Sequence, residues 1–313
     1  MARFLLWRSA AALVTMLLAS IVVFAMVRAV PGDIVETMMG QMGSSEGEAA
    51  LRRFFGLDQP VHVQYLDWLG RVVTGDFGTS WRQGSPVATL VLNAFAVSFQ
   101  LAFLVLVLSS LVGVPLGLVA GYRAGGALDT AIQAFNVLFL ATPVFWLALM
   151  LLFGASTFLH WSPPTIYMGP LRALGQNLVI LLLPMLSLAF LQIAAYAQFV
   201  RQHVIEAMRQ DYVRALRARG VPSAAILRRH VLRNILVPLI TFMGLIFIQI
   251  LGGVVVIESL FGLPGLGRLL VNALYARDFP VVQGALVMVL ISAILINLLV
   301  DVAYRAIDPR LRT

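Results

Sequence analysis

Six stretches of this chain are apolar and long enough to cross a lipid bilayer, and they limit its fold more than any other feature. They lie at roughly 9–28, 95–121, 131–159, 177–199, 235–257 and 282–304. A hydrocarbon core about 30 Å thick takes about 20 apolar residues as a helix. Lipid offers no partner for backbone N–H and C=O groups, and a helix satisfies them internally. Charged residues fill only 12% of the 313 positions, about half the ~25% of a soluble domain. A water-soluble enzyme is therefore excluded, and the expected fold is an all-α integral membrane protein of about six helices. The second and third stretches are longer than a span requires, so they tilt or run beyond the membrane. Pro143 in the third and Pro184 in the fourth each remove a helix hydrogen bond and predict kinks. The first stretch, preceded by Arg3 and Arg8, exceeds the roughly 7–15 apolar residues of a signal peptide and lacks a small-x-small cleavage site. It is expected to remain as a helix.

Arginine placement gives the orientation. With the N-terminus inside, the inner segments are 1–8, 122–130, 200–234 and 305–313, and they hold 14 of the 22 basic residues. The outer segments are nearly twice as long, yet they and the outer end of the first helix hold only the other eight. That is the positive-inside bias, and it predicts that both termini are cytoplasmic. All the basic residues are Arg, with no Lys and no Cys. Without Lys there is no Walker A loop to hold nucleotide phosphates and no amine for a Schiff base. Without Cys there is no disulfide, thiol nucleophile or Cys-ligated metal site.

Two polar regions are too large to be mere turns, and they divide the chain. Residues 1–92 comprise the first helix and a periplasmic loop; residues 93–313 comprise a five-helix core with an inner loop at 200–234. In the outer loop, the pattern around Val61–Leu69 predicts a short amphipathic helix, and Gly-Ser-Ser-Glu-Gly at 43–47 reads as a flexible link. The inner loop reads as helix, sharp turn, helix. Good helix formers run up to Arg219, Gly220 can take the left-handed conformation that stops a helix, and Pro222 suits the first turn of the next. Tyr212, Leu216 and Arg219 share one side of the first helix; Ile226 and Leu227 lie near Val231 on one face of the second. Positive charge on anionic lipid accounts for the arginines, but apolar faces on both sides of a glycine turn point to a docking element.

These residues carry a resemblance. D-Y-V-R-A-L-R-A-R-G at 211–220, followed by L-R-N-I-L-V-P-L-I-T at 232–241, resembles the "EAA" loop of ABC importer permeases. With the motif glycine at Gly220, the triplet falls on Arg214, Ala215 and Leu216. Only its central Ala matches the general consensus, a departure found in the dipeptide/oligopeptide/nickel subfamily. Further segments match that subfamily in order: V-R-A-V-P-G-D at 27–33, F-G-L-D-Q-P at 55–60, G-D-F-G-T-S at 75–80 and A-T-P-V-F-W at 141–146. The most specific lie near the C-terminus: I-E-S-L-F-G-L-P-G-L-G-R-L-L-V from Ile257, A-R-D-F-P-V-V-Q-G from Ala276, and N-L-L-V-D-V-A-Y-R-A-I-D-P-R-L-R from Asn297. The pattern looks like the B-type permease of a heterodimeric pair.

The resemblance implies a type I ABC importer transmembrane domain in a bacterial inner membrane. Its partners would be a C-type permease subunit, two cytoplasmic ATPase subunits that hold ATP and Mg, a periplasmic substrate-binding protein and membrane lipid. No nucleic acid is expected, nor any cofactor or catalysis in this chain itself. Tyr212, Arg214, Ala215, Leu216, Arg219, Gly220, Val221 and Pro222 would form the ATPase-coupling element. Gly262, Pro264, Gly265, Gly267, Arg277 and Asp278 are candidates for periplasmic docking, or equally for packing and internal pairing. Glu258 and Asp301 read as helix-end residues within reach of water, or as inter-helix hydrogen-bonding groups. The family resemblance leaves peptides as the first cargo and nickel or a metal chelate as the runner-up.

The competing class is a secondary transporter, which usually buries ionisable residues at mid-membrane. The apolar cores instead carry amides: Asn93, Gln100, Gln133, Asn136, Gln192 and Gln249. These line a path or hydrogen-bond helices together. No metal-ligating or nucleophile–base group emerges, and His160–Trp161 reads as an interfacial anchor pair.

Overall fold

The computed structural model describes residues 2–29, 45–54, 56–164 and 166–307. The described residues are helical apart from connections and one isolated antiparallel bridge between Thr79 and Pro86. In chain order the helices are α1 (Ala2–Ala29), α2 (Ser45–Phe54), α3 (Val61–Val73), α4 (Val87–Tyr122), α5 (Ala127–Ala141), α6 (Val144–Phe158) and α7 (Leu174–Met208). There follow α8 (Asp211–Ala218), α9 (Ser223–Ile226), a π turn (Leu227–Val231), α10 (Leu232–Gly253), α11 (Val255–Leu260), α12 (Leu266–Tyr275) and α13 (Phe279–Ile307).

Among the described residues, five helical stretches are long and apolar enough to span a membrane: Ala10–Arg28, Val87–Tyr122, Leu174–Met208, Ser223–Gly253 and Phe279–Ala306. The sixth candidate is a bent pair, α5 and α6, which meet at 102°. This corrects the single kinked helix expected over 131–159. Pro143 disfavours helical geometry in the residue before it, and Thr142 is extended at φ −87°, ψ 123°. A new helix then starts, with Leu147 donating its N–H to the Pro143 carbonyl at 3.0 Å. Pro184 behaves differently and sits buried inside an unbroken α7. At 36 and 35 residues and about 1.5 Å per residue, α4 and α7 both outrun a ~30 Å core.

The segment read as a flexible link is also revised. Residues 43 and 44 lie outside the described residues, but α2 begins at Ser45. Glu46 and Glu48 occupy its first turn and Arg52 and Arg53 its last, which suits the helix dipole at both ends. The amphipathic helix expected around Val61–Leu69 is present as α3 and continues to Val73.

The chain forms two compact units: residues 1–96 with 265–294, and residues 97–264 with 295–313. In the first, α3 lies against α1 through an aromatic cluster. Phe24 meets Tyr65 edge-on at 5.5 Å and Trp68 at 5.7 Å, and the Ser20 and Tyr65 hydroxyls are 2.9 Å apart. The core of this unit joins Val87, Val91 and Ala94 of α4 with Leu266 and Ala273 of α12 and Val281, Val282 and Ala285 of α13.

The second unit is organised by α7. Ile193, Ala194, Tyr196, Ala197, Val200 and Val204 are all buried. Gly113, Gly117 and Gly121 of α4 face them at a spacing of four residues. A Cβ added at these glycines would lie 2.7 Å from the Ile193 carbonyl oxygen, 2.6 Å from that of Ala197 and 2.9 Å from that of Arg201. Small residues at that spacing let two helix backbones meet, which is how helices associate where lipid supplies no hydrophobic drive. On another side of α7, Phe139 of α5 stacks on Phe190 at 4.7 Å, and Phe242 of α10 stacks on Phe199 at 4.3 Å.

Gly117→Ala should therefore destabilise the purified protein by about 1–3 kcal/mol, the usual cost of overpacking. Gly175→Ala, whose Cβ meets nothing within 4 Å, should be neutral. Thermal unfolding of both variants in detergent checks the contrast; equal melting temperatures would show that the glycine stripe is not a close-contact seam.

Candidate functional site: a hydrogen-bonded elbow between two long helices

α7 ends at Met208, and after Arg209 and Gln210 the chain turns into α8. The end of α8 has the full hydrogen-bond signature of a Schellman cap. Val221 N–H bonds the Leu216 carbonyl at 3.1 Å, and Gly220 N–H bonds that of Arg217 at 2.9 Å. Gly220 is left-handed at φ +77°, a conformation that a Cβ penalises. Pro222 follows as the N-cap of α9, one position earlier than expected, and its carbonyl accepts from Ala225 at 2.9 Å and Ile226 at 3.1 Å. The second arm is not a separate helix. α9 passes through the π turn, closed by Leu232 N–H on the Leu227 carbonyl, straight into α10.

Burial sorts the elbow into an anchored inner face and an outer face. Val213, Ile226 and Val231 are fully buried, and Ile235 nearly so. Val213 was missed because a single Val in an Arg-rich octet carries no periodicity of its own. Tyr212, Leu216 and Val221 are half-buried, and Asn234 Nδ2 donates to the Tyr212 hydroxyl at 3.2 Å, tying α8 to α10. The apolar side of α8 thus turns largely toward its own chain rather than outward. Arg214, Ala215, Arg219, Gly220 and Pro222 are exposed, as are Arg217, Ala218, Arg228 and Arg229. The Arg214–Asp211 ion pair at 3.0 Å is open to solvent and contributes little. The outer face therefore presents small residues framed by guanidinium groups.

An ion pair fixes the approach to this elbow. Arg201 of α7 donates to both carboxylate oxygens of Asp129 near the start of α5, at 2.6 and 2.7 Å. Asp129 also accepts from Gly125 N–H at 2.8 Å. With its amide oxygen turned toward Arg201, Gln133 accepts from Nε at 2.9 Å, and its side chain lies 3.0 Å from that of Asn136. Gln133 and Asn136 thus belong to a helix anchor. Gln100 is likewise engaged, bonded to Asn177 and accepting from the Tyr167 hydroxyl at 3.0 Å. Asn93 is exposed on α4. Of the six amides, Gln192 and Gln249 line a cleft with a volume of about 230 Å³ between α6, α7, α10 and α11.

The residues considered for docking elsewhere divide sharply. Gly262 and Pro264 are exposed, with Gly262 left-handed at φ +67°. Gly265 and Gly267 are buried at the start of α12. Asp278 is turned inward, in keeping with the internal-pairing reading: its carboxylate accepts from the Ser80 hydroxyl at 2.5 Å and from Trp81 and Arg82 N–H at 3.2 and 3.4 Å. Arg277 sits beside it at φ +55°. Glu258 and Asp301 are buried, at 0% and 8% exposure, so of their two readings access to water is the one not met. Glu258 is an inter-helix group, accepting from the Ser98 hydroxyl at 2.5 Å.

The described residues thus combine apolar spanning helices, a bent fifth-and-sixth pair and a capped elbow after the 35-residue α7, and the family matches give that arrangement its class. Residues 113–313 match the family described as the binding-protein-dependent transport system inner membrane component. Residues 1–102 match the N-terminal region of such membrane components. The chain belongs to this family. It is 38% identical over 312 residues to a peptide transport system permease protein of Brucella abortus, covering 100% of this chain and 99% of that one. It is 34% identical to the oligopeptide transport system permease protein AppB of Bacillus subtilis over 99% of both chains. It is 30% identical to the dipeptide permease DppB of Alkalihalophilus pseudofirmus over 94% of both. The membrane chain of the inward-facing MetNI methionine ABC transporter shares the fold, with a TM-score of 0.53 and 18% identity over 70% of this chain and 96% of that one.

Breaking the Arg201–Asp129 pair leaves a charge largely buried without its partner, which costs about 3–5 kcal/mol. Asp129→Asn should lower the melting temperature strongly, and Asp129→Asn with Arg201→Gln should cost less than the two changes summed. Additive losses in that double-mutant cycle would mean that the pair does not hold α5 to α7.

Proposed function

We propose that this chain is the B-type permease subunit of a binding-protein-dependent ABC importer for peptides. The observation that carries this reading is the elbow at 209–231, a capped, internally anchored element with a small-residue and arginine outer face, in a chain of this family. The named relatives supply the cargo, since each is described as a permease for peptides. In this reading the elbow and both termini are cytoplasmic and the membrane is the bacterial inner membrane. A C-type subunit completes the path, two ATPase subunits bind ATP and Mg, and a periplasmic binding protein delivers the peptide.

The mechanism follows from stiffness. When the ATPases close, they push on the outer face, where Ala215, Ala218, Gly220 and Pro222 allow close approach and Arg214 and Arg219 pair with acidic groups at the rim. The Schellman bonds keep the turn from folding up under load. Val213, Ile226 and Val231 hold it to its own chain, so the displacement passes into α7. That helix carries α4 with it along the glycine seam and α5 through Asp129. The path then changes its side of access without chemistry in this chain.

Gly220→Trp tests the lever. A Cβ at Gly220 meets nothing within 4 Å, so the cost to folding is limited to about 1–2 kcal/mol of left-handed strain. The assembled complex should form, while stimulation of ATP hydrolysis by the binding protein falls by about tenfold or more, the equivalent of about 1.4 kcal/mol of lost coupling. Wild-type stimulation in the variant complex would show that the elbow is not where ATPase motion enters. Import by the purified chain alone under an ion gradient would replace the reading with a secondary transporter.

A further inference from the structure

We infer that the cleft at the α5–α6 break is a transit subsite that grips the backbone of the passing peptide; the inference rests on the proposed peptide importer. Three independent features meet there. First, the break exposes the start of a 15-residue helix. The first-turn N–H groups of α6, at Val144, Phe145 and Trp146, have no intrahelical acceptor, and Pro143 gives them no side-chain cap. Val144 and Phe145 line the cleft. Second, Gln192 of α7, only 5% exposed, lines the same cleft, and its Oε1, itself shielded from solvent, has no hydrogen-bond partner among the described residues. A buried carbonyl without a donor is costly, and a turn of this amide toward the cleft would let a passing N–H satisfy it. Third, Gln249 of α10 is exposed at the cleft wall, although an amide facing lipid on an apolar span is disfavoured.

Together these groups form a complementary set. The α6 N-terminus offers N–H donors with the positive end of a helix dipole behind them. Gln192 offers an acceptor and Gln249 an amide with both. A peptide unit presents the matching pair, one C=O and one N–H, on every residue whatever its side chain. Leu188 and Ile250 supply apolar wall between the polar groups. At about 230 Å³ the cleft falls below the roughly 300–1,000 Å³ of pockets that enclose a whole ligand. It therefore grips one or two residues of a chain that extends beyond it. Such a site reads the backbone and tolerates diverse side chains, leaving selection to the delivering protein. No charged side chain lines it, so neither end of the peptide is trapped by an ion pair.

The test uses the whole importer in proteoliposomes with a radiolabelled tripeptide, reading peptide imported per ATP hydrolysed. Gln192→Met with Gln249→Leu should lower that ratio about tenfold, consistent with losing hydrogen bonds made in passage, while ATP hydrolysis stimulated by the binding protein is kept. Gln249→Leu alone, at an exposed position, should assemble normally and show part of the loss. p-Benzoylphenylalanine in place of Phe145 should photo-crosslink the peptide during turnover, and Gln192→Met should reduce the yield. A wild-type ratio in the double variant, or a cross-linker at Phe145 that captures only lipid while the complex imports normally, overturns the subsite and leaves the importer standing. Failure of the wild-type complex to import any peptide overturns the cargo assignment, and the subsite with it.

Discussion

The close approach of α4 to α7 is the contact on which the second unit depends. A hydrophobic seam cannot be driven by water inside a bilayer, so the helices need geometry in its place. Three glycines at four-residue spacing bring the α4 backbone to the carbonyls of Ile193, Ala197 and Arg201. Tyr196, Val200 and Val204 fill the grooves between them. The seam reaches Val204, about one turn before α7 ends at Met208, so the backbone contact lies next to the start of the elbow.

Three buried carboxylates are each tied to a distant segment. Asp129 binds Arg201, Glu258 accepts from Ser98 and Asp278 gathers the 80–82 turn. A buried charge or carboxyl costs several kcal/mol unless it is paired and hydrogen-bonded, so these bonds specify which segments meet. Gln192 Oε1 has no such tie among the described residues, and neither do Gln64 Oε1, Asn136 Oδ1 and the Tyr196 hydroxyl; what sets Gln192 apart is its place on the cleft beside the uncapped start of α6.

Much of this architecture is written locally. Apolar runs give the spans, and Arg219–Gly220–Val221–Pro222 announces a capped turn because the left-handed position, the following Pro and the helix before it are contiguous. What escaped the sequence is non-local. Ser98 and Ser80 lie 160 and 198 residues from their carboxylate partners, and no spacing rule connects them. The sequence therefore leaves Glu258 and Asp278 open between an outward and an internal role, and only the fold supplies their partners. Pro143 and Pro184 show the same limit from another side. Each removes one hydrogen bond, yet only Pro143 ends a helix. Pro184 is flanked by buried residues, and α7 continues through it without a break.

The two arms of the elbow differ in stiffness, and the difference has a direction. On the α7 side the helix is regular to Met208, bonded to α5 by two charge-assisted hydrogen bonds and locked to α4 by the glycine seam. On the α10 side the chain passes through a π turn, where one i→i+5 bond widens the helix and packing of the backbone is poorer than in an α-helix. π turns of this kind are rare and recur at functional positions. In the proposed coupling role, a load on the outer face would meet the regular, charge-paired α7 on one side and the π turn at Leu227–Val231 on the other. The two arms would then respond differently to the same push, α7 as one regular helix and α10 through a turn whose hydrogen bonding departs from the α pattern.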